Sequence, residues 1–252
     1  MVALVIQKVS ICWRFIATGL GYLIFGFFGL IMSLFLLIFY SVKFNRSHNG
    51  QIFARKIVAF SWKLFSYYIV FSGVCKINYQ GLEKLGRRGQ IILCNHPSLL
   101  DVVFLFSRIS NTNIVVKKEL LKNPVMIGQV KACGFLVNED ISVESAVESL
   151  NKEAILLFPE GTRTRLNEKN KFNRAAISFA LHTAKIITPV KIKMQPANWT
   201  KGQKWWKIPT VRPKYEFIVG QDIIVADYLA NTQIPIAARK LTTELENYFN
   251  QK

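Results

Sequence analysis

Asn95-His96-Pro97-Ser98-Leu99-Leu100-Asp101 follows the apolar run Ile91-Ile92-Leu93-Cys94, so a strand-like segment stops at a histidine with an aspartate five positions on. On a regular helix, at roughly 100° per residue, two residues five apart are about 140° out of phase and do not meet. They meet only across a helix entrance. Pro97 supplies one, because proline is at ease in the first helical position, where its missing N–H is not needed. His96 is therefore expected at the mouth of a helix running through Val102-Val103-Phe104-Leu105, with the Asp101 carboxylate reaching back to one imidazole nitrogen. A neutral imidazole held by a carboxylate takes a proton from a hydroxyl and turns it into a nucleophile. Ser98 and Cys94 lie close by, but neither has a nucleophile setting such as G-x-S-x-G, so direct transfer is expected.

A second apolar run, Ala154-Ile155-Leu156-Leu157-Phe158, ends in Pro159-Glu160-Gly161-Thr162-Arg163-Thr164-Arg165, again a buried strand opening into a polar turn. Its chemistry is anion binding. Gly161 lets backbone approach a ligand closely, Arg163 or Arg165 offers a planar fork to a phosphate, and Glu160 is expected to hold an arginine in place. Taken alone, the segment also reads as a type I turn followed by a solvated basic run through Lys169, Lys171 and Arg174. The upstream histidine and aspartate tip the balance toward a site.

Read together, NHPSLLD and FPEGTRTR resemble the first and third motifs of the glycerolipid acyltransferases, the superfamily of glycerophosphate and lysophosphatidate acyltransferases, in the same order and at matching separation. The resemblance runs from about Val74 to Met194. It implies His96 and Asp101 as the catalytic pair, and Glu160, Gly161, Thr162, Arg163 and Arg165 as substrate-binding residues. It also implies acyl-CoA or acyl-acyl carrier protein as donor substrate, a lysophospholipid such as 1-acylglycerol-3-phosphate as acceptor, and no metal or other cofactor. The second family block, from Val116-Lys117-Lys118-Glu119-Leu120 to Phe135-Leu136-Val137, normally ends in an arginine that helps bind the acceptor phosphate. Asp140 stands at that position here. A carboxylate repels a phosphate, so a different base such as Lys131 or Arg165 is needed, or an acceptor without a phosphomonoester. The fourth motif survives as Ile187-Thr188-Pro189-Val190, expected to shape an acyl or acceptor pocket.

The 252 residues carry 33 Lys and Arg against 15 acidic residues, a net charge of +18, with a mean hydropathy of +0.24. The charge implies an anionic partner, and the apolar N-terminus favours lipid over nucleic acid, for which no binding motif occurs. From Phe15 to Val42 there is no charged residue, a run longer than the roughly 20 residues that cross a bilayer. It is too long for a signal-peptide core, and Ser41-Val42-Lys43 offers no small-residue cleavage site, so an anchor is expected. Lys43, Arg46, Arg55, Lys56 and Lys63 follow the run while Lys8 and Arg14 precede it, which favours a catalytic part on the cytoplasmic face of the inner or plasma membrane. Gly19, Gly21, Gly26 and Gly29 allow a bend, so a shallow hairpin with Ile52 to Val70 in one leaflet is the alternative. That second helix reads either as interfacial or as packed on the catalytic domain. Cys12, Cys75, Cys94 and Cys133 are scattered and read as reduced thiols.

The remaining pattern alternates. Strands are expected at Cys75 to Tyr79, Ile91 to Cys94, Asn113 to Val116, Phe135 to Val137, Ala154 to Phe158, Ile187 to Met194 and Tyr215 to Val219. Helices are expected at Leu100 to Arg108, Glu119 to Lys131, Ser142 to Lys152, Asn173 to Lys185 and Pro235 to Asn250. This predicts an α/β fold, a mixed or largely parallel sheet flanked by helices, in a domain at 74–252 behind N-terminal membrane-anchoring helices at 1–73. Trp199, Trp205 and Trp206, set among Lys201, Lys204 and Lys207, read either as a loop dipping into an anionic interface or as a cap on the core. Thioester oxyanion donors are expected among backbone N–H groups near Gly161 or at Pro97 and Ser98. Two other classes stay open: a basic membrane-binding protein of the same fold without turnover, and a nucleic-acid binder suggested by charge alone.

Overall fold

The structure, a computed structural model, describes residues 2–251. A 40-residue helix, α1 (Val2–Ser41), and α2 (His48–Phe71) precede β1 (Lys76–Gln80), β2 (Gln90–Cys94), α3 (Asp101–Phe106) and β3 (Thr112–Val116). There follow α4 (Ile127–Cys133), β4 (Leu136–Val137), α5 (Val143–Leu150), β5 (Ala154–Leu157), α6 (Arg174–Thr183) and β6 (Ile186–Gln195). The chain ends with β7 (Lys214–Val219), β8 (Ile223–Ile224), α7 (Val225–Leu229) and α8 (Ile234–Asn250).

The strands form one mixed sheet in the order β1-β7-β6-β2-β5-β3-β4, with β8 against the start of β6. β6, β2, β5, β3 and β4 are mutually parallel, and β7 turns antiparallel to β6. The central strands β2 and β5 are buried at every position, as continuous apolar runs between two helical layers must be. Side chains alternate across them: Ile92, Cys94 and Leu156 face α1, α2, α3 and α4, whereas Ile91, Leu93, Ile155 and Leu157 face α5, α6 and α8. Two cores thus lie on opposite faces, and the α/β class read from the alternation is the fold.

Two elements differ from expectation. The helix expected over Glu119 to Lys131 is a 3-10 turn at Lys118–Lys122 followed by α4, because Pro124 has no N–H to give a helix interior and its ring crowds the preceding turn. The helix after His96 begins at Asp101, not at Pro97; Pro97 to Leu100 is an irregular turn.

α1 lies lengthwise on the body. Arg14, near its start, is buried and donates to the Thr210 carbonyl at 2.9 Å, and Leu36, near its end, is fully buried. These residues are 22 apart, roughly 33 Å at 1.5 Å per residue. Between them Tyr68 of α2 donates to the Ala17 carbonyl at 2.7 Å, and the Gly128 N–H of α4 donates to Ser33 Oγ at 2.9 Å. A side chain at Gly128 would overlap the Ser33 backbone, so glycine sets how closely α1 and α4 cross. The outer face of α1 is apolar: Leu23, Phe27, Leu34 and Ile38 are exposed.

α2 packs on the domain with one face and leaves an apolar face exposed on the other. Ala54, Arg55, Val58, Trp62, Ser66 and Ile69 are buried against the domain, while Phe53, Phe60, Leu64, Tyr67 and Phe71 are exposed. The tryptophans divide likewise. Trp199 is buried, whereas Trp206 is exposed and Trp205 stacks on Phe15 of α1 at 5.7 Å.

Candidate active site

Four parallel strands deliver loops to one edge of the sheet: His96 after β2, Lys117 after β3, Asn138 after β4, and Phe158 to Arg163 after β5. Ligands in open α/β sheets gather beyond the carboxyl ends of the strands. Here these loops line a cavity of about 880 Å³, closed on one side by Thr18, Tyr22 and Phe25 of α1 and by Trp62 and Phe65 of α2.

His96 Nδ1 lies 2.8 Å from Asp101 Oδ2, so the pair does meet. The route differs from a simple helix entrance. Asp101 is fully buried as the first residue of α3, and its carboxylate also accepts from the Ser98 N–H at 2.7 Å and from Ser98 Oγ–H at 2.8 Å. The carboxylate thereby organises the turn that carries His96. With Nδ1 committed to Asp101, Nε2 is the nitrogen left for a substrate in the cavity. The imidazole rests on the Phe158 ring at 4.7 Å, which limits its rotation.

Glu160 holds no arginine. Its Oε1 accepts the His96 N–H at 2.7 Å, and its Oε2 accepts from Thr164 Oγ1 at 2.8 Å, while the Thr164 N–H donates to the His96 carbonyl at 2.8 Å. Both backbone groups of His96 are therefore clamped by the second motif, and the two motifs form one unit. Burial pushes the Glu160 carboxyl above its ordinary range, opposed by the His96 N–H and the Thr164 hydroxyl. Asn95 ties the same loop to β6, donating to the Ile192 carbonyl at 3.0 Å and accepting its N–H at 2.7 Å.

Of the other expected residues, Gly161, Thr162 and Arg163 line the cavity. Gly161 has φ +62°, a conformation that L side chains rarely adopt, and open space where a side chain would be. Arg163 is held by donating to the Trp199 carbonyl at 3.1 Å. Arg165 is not brought to His96: it lines a separate recess with Pro97 and Lys193 and sits 3.8 Å from Glu168. Lys131 lies over the Tyr40 ring, so neither suggested replacement for the missing arginine faces the cavity, whereas Lys117 does. Asp140 is exposed and 3.6 Å from Lys118 Nζ. Pro189 lies within β6 beside Leu93 of β2 and does not line the cavity. Two expected oxyanion donors are spent as well: the Ser98 N–H on Asp101 and the Gly161 N–H on the Phe158 carbonyl, and Pro97 has none. Cys94 is fully buried, and burial pushes its thiol well above the ordinary range, which removes it as a nucleophile.

Sequence reasoning missed a second layer behind the pair. Tyr215 Oη, fully buried on β7, donates to Ser98 Oγ at 3.1 Å, completing the series Tyr215, Ser98, Asp101, His96. The alternation of Tyr215 to Val219 marks Tyr215 as inward-facing, but nothing local names its partner.

A hydrogen-bonded His–Asp pair at the carboxyl edge of parallel strands, facing an apolar cavity, has the geometry that general-base chemistry requires. Comparison with known proteins shows which family the chain is similar to. The family model described as Acyltransferase matches residues 76–193. A 1-acyl-sn-glycerol-3-phosphate acyltransferase of Cocos nucifera is 29% identical over 150 residues, covering 55% of this chain and 48% of the relative. The protein of the same name from Pseudomonas aeruginosa is 24% identical over 146 residues, 54% of this chain and 56% of the relative. The chain thus spans about half the length of these curated relatives. The crystal structure of the 1-acyl-sn-glycerophosphate acyltransferase PlsC from Thermotoga maritima matches with a TM-score of 0.65 over 95% of this chain and 98% of that one, at 18% identity, a likeness of fold. The family model and the named relatives support a place for this chain among the glycerolipid acyltransferases, and the solved structure shows the shared fold.

Proposed function

We propose that this protein is a membrane-associated O-acyltransferase that moves a fatty acyl group from an acyl thioester to the hydroxyl of a lysophospholipid of the 1-acylglycerol-3-phosphate class. The observation that carries the reading is the His96–Asp101 contact of 2.8 Å beside an apolar cavity. Nε2 takes the acceptor hydroxyl proton as the oxygen attacks the thioester carbonyl. The oxyanion collapses, the C–S bond breaks, and the thiolate leaves with the proton from His96. Asp101 fixes the tautomer and offsets the imidazolium charge. Arg163 and Lys117 are the cations on the cavity wall for an acceptor phosphate. The names of the relatives support this acceptor. Asp140 favours a second reading, an acceptor whose headgroup lacks a phosphomonoester, since the family's arginine is replaced by a carboxylate paired with Lys118.

The anchoring reading that the geometry favours is the shallow one. α1 is long and apolar enough to cross a bilayer by length and composition, yet it touches the body along about 33 Å. A helix so engaged lies in the interface, with its exposed apolar face in one leaflet.

The test is acyl transfer by the detergent-solubilised protein, with labelled acyl thioesters and a panel of phosphate-bearing and phosphate-free lyso-lipids. Product is expected, and His96→Ala should lower it by about 10²–10⁴. Absence of product from every donor and acceptor pair with folded protein would favour a membrane-binding protein without turnover. Preference for phosphate-free acceptors would favour the second reading.

A further inference from the structure

The cavity at His96 straddles the carboxyl edge of the sheet. Trp62, Phe65, Ile114 and Val116 line it from the face covered by α1 and α2, and Val115, Leu157, Ala176 and Phe179 from the face covered by α6. The first side is enclosed by the apolar N-terminal helices. The second is a partly exposed groove on the opposite face, away from those helices, edged by the amides of Asn138 and Asn173. Asn173 caps α6 through Oδ1, accepting the Ala175 N–H at 2.9 Å, so its NH₂ is free to donate. Flanking Asn173 are the exposed cations Lys169, Lys171 and Arg174, none with a carboxylate within 4.0 Å among the described residues.

We propose that the α6-side groove is the seat of the phosphopantetheine arm of the thioester donor, with Lys171 and Arg174 receiving its phosphate end. This rests on the acyltransferase reading and adds to it a route for each substrate. The acceptor lipid comes from the bilayer, on the side of α1 and α2. A carrier-linked donor comes from water and needs a separate path to the same imidazole, and the groove supplies one. Its lining suits a chain of alternating methylenes and amides: apolar walls from Val115, Leu157 and Phe179, and amide partners at Asn138 and Asn173. The exposed cations that neighbour Asn173 along the chain, Lys171 and Arg174, suit the phosphate that every such carrier presents, whether coenzyme A or an acyl carrier protein.

The experiment compares acyl-CoA and acyl-acyl carrier protein with a truncated acyl thioester of N-acetylcysteamine, in the wild type, in Lys171→Glu/Arg174→Glu and in Ala176→Trp, with coenzyme A binding by calorimetry alongside. The ratio of KM for the carrier-linked donor to KM for the truncated one should rise at least about tenfold in the double charge reversal. A larger rise with acyl-CoA or with acyl-carrier protein identifies the source of the arm. Ala176→Trp should raise KM for the carrier-linked donors while leaving that for the lyso-lipid in place. A rise in lyso-lipid KM instead, or equal effects on all donors, overturns the proposal and makes the patch a headgroup or membrane contact. Coenzyme A binding that the charge reversal weakens, in a protein that makes no lipid product, keeps the groove and removes the transferase reading. Lipid product with carrier affinity untouched by the reversal keeps the transferase and removes the groove.

Discussion

Asp101 accepts from His96, the Ser98 N–H and Ser98 Oγ, and Tyr215 stands behind Ser98. Because the carboxylate is fully buried, each donor helps satisfy its oxygens and aim it at His96. Ser98→Ala removes one direct donor and is expected to lower turnover on the order of tenfold, a lost charge-assisted bond being about 1.5–3 kcal/mol. Tyr215→Phe acts one step further out and should cost about 1 kcal/mol of stability, with a several-fold loss of kcat and little change in KM. A KM rise in Tyr215→Phe without loss of kcat would mark the tyrosine as pocket wall. A surface counterpart is Asp222, whose carboxyl the Arg87 guanidinium at 2.7 Å holds below its ordinary range, aided by Thr188 and opposed by partial burial. A depressed carboxyl stabilises the fold above its unfolded value near 3.9, and that contribution is lost as pH falls through the lower folded value. The stability gap between wild type and Asp222→Asn should therefore be constant above about pH 5 and close in more acidic buffer, as urea melts at several pH values would show. The His96–Asp101 contact was legible because the two residues are local in sequence. Glu160 was misassigned because its partner, the His96 N–H, lies 64 residues away and belongs to backbone, which leaves no mark in side-chain identity.

α2 is tied to the body by one buried ion pair. Arg55 bonds Glu153 just before β5 and donates through Nε to the Cys133 carbonyl at 2.9 Å, while Ser149 donates to the other Glu153 oxygen at 2.9 Å. Neither side chain is more than 2% exposed. Removing one member strands a charge in the interior, so Arg55→Ala should destabilise by about 3–5 kcal/mol. Arg55→Met with Glu153→Leu replaces both charges by apolar groups and should recover most of that loss, measured as a shift of the denaturation midpoint. If Arg55→Ala alone left the midpoint in place, the pair would contribute nothing to docking α2. Element reading worked where period and burial agree, as in β2 and β5, whose unbroken apolar runs are buried on both faces. It failed at Glu119 to Lys131, where an apolar helical period hid the break imposed by Pro124. It counted Arg55 among the charges flanking a membrane, because a basic residue in an aromatic helix shows no sign of a glutamate 98 residues on.

The whole molecule presents an apolar face made of the outer side of α1, the Phe53, Phe60, Leu64 and Phe71 stripe of α2, and Trp206. Lys201, Lys204 and Lys207 lie in the same loop as Trp205 and Trp206, so cations flank the aromatic edge. That arrangement and a net charge of +18 suit the surface of an anionic leaflet. Composition alone could not choose between spanning and lying flat, since a largely apolar segment of 37 residues permits both. The proposed flat orientation rests on the contacts of Arg14, Ser33 and Leu36 with the body, which a perpendicular α1 would break. In a Cys12→Ser background, Gln7→Cys and Asn49→Cys place one thiol before and one after the apolar run. On sealed vesicles carrying the protein on one side, a membrane-impermeant maleimide should reach both positions from that same side. Labelling of Gln7→Cys only after the vesicles are opened would make α1 a true span and require it to leave the domain. Because a flat α1 forms one wall of the His96 cavity through Tyr22 and Phe25, that outcome would also open the cavity and take the acceptor's route from the bilayer with it.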